Sequence, residues 1–222
     1  MNKKSQLILM WVLIGTSVLV VTGLIIKKVG KNKAKSKLGR KLVEMANKEW
    51  EYWENGKKKE TSSLMYTRLK SYWESIGWKE SRWTPTGKAW SAAFISYIMK
   101  KAGAGDKFKY DASHSKYIRA ARKNREENNS NPIKAYKLNE KKPNVGDLVC
   151  YYRGTTSSDP FDRDSSYQSH CDVVVQKNAD SIDVIGGNVS HTVGKKNVSL
   201  NADGTVKFGS AGKNWFAVIK TS

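Results

Sequence analysis

The chain has 222 residues, 40 Lys plus Arg against 20 Asp plus Glu, and a net charge of +20. A hydrophobic content of 39% with eight Trp excludes a wholly disordered chain, which could not bury enough apolar surface to offset the entropy of ordering. Two Cys and four Pro without regular spacing exclude a disulfide mini-protein, a zinc ribbon and a collagen-like repeat.

After a short basic tail at residues 1–6, Leu7 to Ile26 is a run of twenty residues without a charge. At about 1.5 Å of rise per residue such a helix spans a hydrocarbon core of roughly 30 Å, so the run reads as a transmembrane helix. A cleaved signal peptide fits less well, because the run is long and ends in Leu-Ile-Ile-Lys-Lys instead of a small-residue cleavage site. Residues 27–41 follow as a basic juxtamembrane linker with seven Lys, one Arg and no acid. The expected partner is therefore a lipid membrane, held by residues 7–26 and by attraction of the basic run to anionic headgroups. Nucleic-acid binding ranks lower, since the densest basic cluster adjoins the apolar run and no nucleic-acid fold signature is present. Because the basic residues follow the span, charge bias places the soluble domain on the cytoplasmic side.

Residues 42–222 read as one domain. Leu42, Val43, Met45, Ala46, Trp50 and Trp53 recur at helical steps over Leu42–Gly56. Leu64–Ile76, Ser91–Ala102 and Ser113–Lys123 are further predicted helices, of which Ser91–Ala102 is strongly apolar and closed by Gly103. After Pro143 the pattern changes. Asp147–Tyr152, Cys171–Gln176, Ser181–Ile185 and Phe216–Thr221 are short, β-branched or aromatic strands, and Val198–Leu200 and Thr205–Phe208 flank an Asn-Ala-Asp-Gly turn. Helices followed by an antiparallel strand run predict an α+β domain.

Several residues are candidates for chemistry. Ser91 opens the apolar helix after Trp90, where unpaired backbone N–H groups and the helix dipole would stabilise an oxyanion; an ordinary capping role fits the same position. His170 stands at a strand mouth, where an imidazole can face a cleft as a base. Asn188, in Ile-Gly-Gly-Asn-Val, could hold a ring nitrogen and fix its tautomer. His114 is a second imidazole, and His191 reads as exposed.

The ordered strings WSAAFIS, HSKYI, VGDLVCYYR, SHCDVVV and IGGNVS resemble a bacterial and phage domain family. That family is similar in turn to the papain-like CHAP- and NlpC-type cell-wall amidases and endopeptidases. The resemblance implies a papain-like α+β domain with N-terminal helices packed on an antiparallel sheet. It implies amide hydrolysis in peptidoglycan, with Ser91 as nucleophile, His170 as base and Asn188 orienting His170. Trp90, His114, Arg153 and Asp172 are candidate substrate contacts, and no cofactor or metal is expected. It also makes the strands of Cys150 and Cys171 antiparallel neighbours, so a disulfide and two buried thiols are both open. The family places such domains outside the cell or in a virion, against the charge bias. Those enzymes carry Cys where this chain has Ser, and a hydroxyl, unlike a thiol, is not ionised near neutral pH. The alternative is a catalytically inactive, membrane-tethered module that binds cell wall or serves a phage particle.

Overall fold

The structure, a computed structural model, describes residues 34–154 and 159–222. Four α-helices come first: α1 Lys37–Tyr52, α2 Ser63–Glu74, α3 Ser91–Lys101 and α4 His114–Glu126. Six strands follow: β1 Lys134–Lys137, β2 Leu148–Tyr152, β3 Ser169–Lys177, β4 Ser181–Val189, β5 Thr192–Ser199 and β6 Asn214–Lys220. They form one antiparallel sheet in the order β1-β6-β2-β3-β4-β5.

Helix α1 starts at Lys37, five residues before the periodic stretch read from the sequence. Ser36 caps it, accepting from the Gly39 backbone N–H at 2.9 Å, and the Ser36 hydroxyl donates to the Thr221 carbonyl at 3.2 Å. The cap thus ties the first helix to the end of the last strand. Gly39 also packs on the turn before β2. A Cβ on Gly146, which has φ +92°, would fall 2.6 Å from the Gly39 Cα, so only glycine fits there. Gly39, Leu42, Ala46 and Glu49 form the buried stripe of α1 at alternating three- and four-residue steps.

The sheet separates two apolar clusters. On the helix side, Cys150, Cys171, Val173, Ile185, Ala217 and Ile219 join α1–α4 in the main core. On the other side, Val149, Tyr151, Val184, Val198, Trp215 and Val218 form a second core under the 200–208 hairpin. The period of two along each strand sorts neighbours to opposite faces, which explains why Cys150 and Tyr151 belong to different clusters.

Cys150 and Cys171 are register partners across β2 and β3, and they are joined as a disulfide. The bond closes a segment of 21 residues in sequence separation. Replacing both cysteines with alanine should therefore cost about 3 kcal/mol, mainly by freeing the unfolded chain, as a lower denaturation midpoint in urea would show.

The fold expectation needs correction. The structure is α+β, with four helices and a six-stranded antiparallel sheet among the described residues. The expected papain-like architecture led by a membrane-spanning helix is overturned, because no helix among the described residues is long and apolar enough to cross a membrane. The physical reason lies in length and pattern: α1, the longest, has 16 residues and carries Lys, Arg and Glu along its solvent face. The apolar run at 7–26 lies outside the described residues.

Candidate functional site

Ser91 is the first residue of α3, the helix whose apolar residues Ala92 to Met99 are buried on every side. Trp90 precedes it, fully buried and stacked on Trp53 with ring centroids 5.0 Å apart. The Trp90 indole N–H donates to Glu60 Oε2 at 2.6 Å, and Glu60 Oε1 meets His191 Nδ1 at 2.8 Å. Trp90 therefore anchors the helix start within the core.

The imidazole that reaches Ser91 is His114, with its Nε2 2.7 Å from the Ser91 hydroxyl oxygen. His114 opens α4, and Tyr117, one turn on, brings its hydroxyl against His114 Nδ1. The spacing of three in HSKY puts both side chains on one helix face, and that was the available sequence signal for the contact. The backbone N–H of Cys171 also donates to His114 Nδ1, at 3.2 Å.

The direction of these bonds determines the chemistry. A backbone N–H can only donate, so His114 Nδ1 carries the lone pair and the ring proton sits on Nε2. His114 consequently donates to the Ser91 oxygen and has no free lone pair with which to take the Ser91 proton. Burial pushes the His114 pKa well below its ordinary value, with His170 and Arg153 adding in the same direction. A doubly protonated ring would set two donors against each other at Nδ1. Ser91 and His114 are only 2% and 5% exposed.

His170 lies in a second cluster. It sits on β3 one residue before Cys171, and alternation turns the two side chains to opposite faces. Its ring stacks on Tyr151 with centroids 4.9 Å apart, on the side of the second core. His170 Nε2 donates to Asp172 Oδ1 at 3.0 Å, and an Arg153 guanidinium nitrogen donates to His170 Nδ1 at 2.9 Å. Lys196 on β5 completes the chain with a 2.9 Å contact to Asp172 Oδ2. Burial lowers the His170 pKa, partly countered by Asp172. Burial raises that of Asp172, but Lys196 and His170 outweigh it and hold the carboxyl below the usual carboxylate range. Gly186 on β4 makes room for this carboxylate; a Cβ there would lie 1.8 Å from Asp172 Oδ1. Lys196 and Gly186 carried no functional signal in the sequence, because only the register of β3, β4 and β5 brings them to Asp172.

The structure thus distributes the candidate residues over two clusters. Ser91 and His114 form one; His170, Asp172 and Arg153 form the other, with 5.0 Å between the centroids of the two imidazoles. Asn188 has φ 55° at the end of β4 and makes no side-chain hydrogen bond to either ring among the described residues. The cysteines are tied to each other, and no group of three or more His, Cys, Asp or Glu among the described residues could hold a metal ion. A cavity of about 420 Å³ lies away from Ser91, bounded by Leu138, Tyr152, Pro160, Phe208, Asn214 and Trp215.

These features define an α+β domain with a buried Ser–His pair beside a buried His–carboxylate network. Residues 44–221 match the DUF2272 family, described as an uncharacterized protein conserved in bacteria, and the chain belongs to that family. No curated protein and no solved structure matches the chain.

Proposed function

We propose that this domain works as a binding or structural module and does not hydrolyse amide bonds through Ser91. The observation that carries this reading is the hydrogen bond from the Cys171 backbone N–H to His114 Nδ1. It leaves the ring as a donor toward Ser91, whereas a serine nucleophile needs a base that accepts its proton. The burial of Ser91, His114, His170 and Asp172 supports the same reading, since a substrate amide must reach the reacting atom. The resemblance to CHAP- and NlpC-type wall enzymes makes a cell-wall polymer the ligand class to try first. The disulfide supports an oxidising compartment, hence a domain facing the exterior, because cytosolic thiols are kept reduced.

The test is incubation of the full-length chain with purified sacculi. Retention on the sacculi without release of peptide or amine ends is expected, together with no labelling of Ser91 by a fluorophosphonate. Turnover that disappears in Ser91→Ala would overturn the proposal. Ser91→Ala should instead cost about 1–3 kcal/mol of stability, because the buried His114 Nε2–H loses its acceptor, and should leave sacculus binding unchanged. Thermal denaturation and pull-down measure the two effects separately.

A further inference from the structure

Beyond the Ser91 question, the outer face of the sheet gathers cations with too few partners. Three of them converge on one aromatic ring, that of Tyr151. Lys196 Nζ lies 5.2 Å, Lys213 Nζ 5.4 Å and Arg153 Cζ 6.0 Å from its centroid. They come from three separate places in the chain: β5, the turn before β6 and the end of β2. Among the described residues only Lys196 has an acidic partner, Asp172, and that carboxylate is fully buried and also engaged by His170. Arg153 contacts a neutral imidazole nitrogen and the Tyr151 hydroxyl, neither of which supplies a negative charge. Lys213 makes no ion pair among the described residues.

Three positive groups against one negative group leave an excess of two within a space comparable to the Debye length of about 8 Å at physiological salt. A ring quadrupole attracts cations but supplies no net negative charge. The buried His170–Asp172 pair, seated in the gap left by Gly186, holds Arg153 and Lys196 in place, so these two are preorganised rather than freely mobile. Arginine offers a planar fork that matches an oxyanion, and lysine a point charge beside it.

We infer that Arg153 and Lys213, both beside the Tyr151 ring, form a binding site for a phosphate group, carried by a soluble phosphate ester or by a phospholipid headgroup. The group draws on these two cations, which lack an acidic partner among the described residues, and brings the local charge near balance. Lys196 stays committed to Asp172 and contributes through the field alone.

The experiment titrates the full-length chain with inorganic phosphate by calorimetry, and separately with phosphatidylglycerol vesicles by co-sedimentation. Saturable phosphate binding is expected, weakened about tenfold by Lys213→Gln, since one charge-assisted hydrogen bond is lost. Lys79→Gln, an exposed lysine on the loop after α2, removes the same charge elsewhere and should change the affinity little. Arg153→Gln should weaken binding as much as Lys213→Gln. Its melting temperature is recorded alongside because Arg153 also contacts His170, whereas Lys213→Gln leaves that network intact. Dependence on Lys213 with vesicles but not with free phosphate assigns the headgroup as the source and upholds the site. Equal losses in Lys79→Gln and Lys213→Gln would reduce the effect to overall charge and overturn the inference, as would the lack of saturable binding to both probes.

Discussion

Asp172→Ala is expected to destabilise the domain by about 3–5 kcal/mol, because removing one partner from a buried charge network leaves the others uncompensated. Asp172 is fully buried, and its two oxygens accept from His170 and Lys196 at 3.0 and 2.9 Å. Without it, a mostly buried ammonium and a buried ring N–H lose their acceptors together. Asp172→Asn keeps the shape and one acceptor, so it should cost less; the difference between the two variants separates lost charge from lost packing. Urea denaturation at neutral pH measures both. If Asp172→Ala unfolds at the wild-type midpoint, the network contributes nothing to stability.

His114 in the first cluster and the His170–Asp172 network in the second both shape how stability responds to acid. His114 and His170 have folded pKa values below the ordinary imidazole value of 6.5, both chiefly through burial. Below 6.5 the unfolded chain therefore binds protons that the folded chain refuses, and stability falls as pH falls. Asp172 works in the same direction at lower pH. Its folded pKa is depressed, so its contribution is complete above the ordinary carboxyl value of 3.8 and is lost as acid protonates it. Denaturation midpoints should be level at neutral pH and decline from about pH 6.5 downward, while in the carboxyl range Glu49 and Asp147, whose pKa values burial raises, oppose the loss from Asp172. A midpoint that rose on mild acidification would contradict a buried neutral state for the two imidazoles.

Trp90→Ala is the second large effect, with an expected loss of about 3–5 kcal/mol from the cavity and the lost transfer energy of a buried indole. Trp90 stacks on Trp53 and Tyr72, with centroids 5.0 and 5.7 Å away, and meets Phe94 edge-on. Its indole N–H is also the buried partner of Glu60, whose other contact, His191, has a side chain 72% exposed. Trp90→Phe retains most of the ring area and gives up only the N–H, so the two variants divide the loss between packing and the Glu60 bond. Calorimetric melting of both reads that division. A Trp90→Ala protein as stable as wild type would mean that the core at the α3 start repacks without a void.

The helices were legible because each buries one periodic stripe or, for α3, is apolar throughout. Their limits fell within a few residues of the predicted ones except at the start of α1. There the residues are Lys, Leu, Gly and Arg, and they become helical through the Ser36 cap and the Gly39–Gly146 contact, neither of which shows in local periodicity. The central strands β2, β3, β4 and β6 were legible from β-branched runs. The edge strands were not. Lys134–Lys137 and most of Thr192–Ser199 are rich in Lys, Gly and Asn, the composition that keeps a sheet edge from pairing with another chain. Polar edges hide strands from any reading based on apolar alternation.

By itself the sequence determined the helix-then-strand order, the apolar helix opened by Ser91 and the presence of several imidazoles with candidate partners. Tertiary structure alone decided which imidazole meets Ser91. A strand alternates its faces at every residue, so Cys171 turns to the helices while His170 and Asp172 turn to Lys196 and Tyr151. Only the packing of α4 brings His114 to Ser91, and the Cys171 N–H, which meets Nδ1 beside the Tyr117 hydroxyl, places the ring proton on Nε2. Those are contacts between elements distant in sequence, and hydrogen-bond direction across them is a property of geometry that residue order does not encode locally.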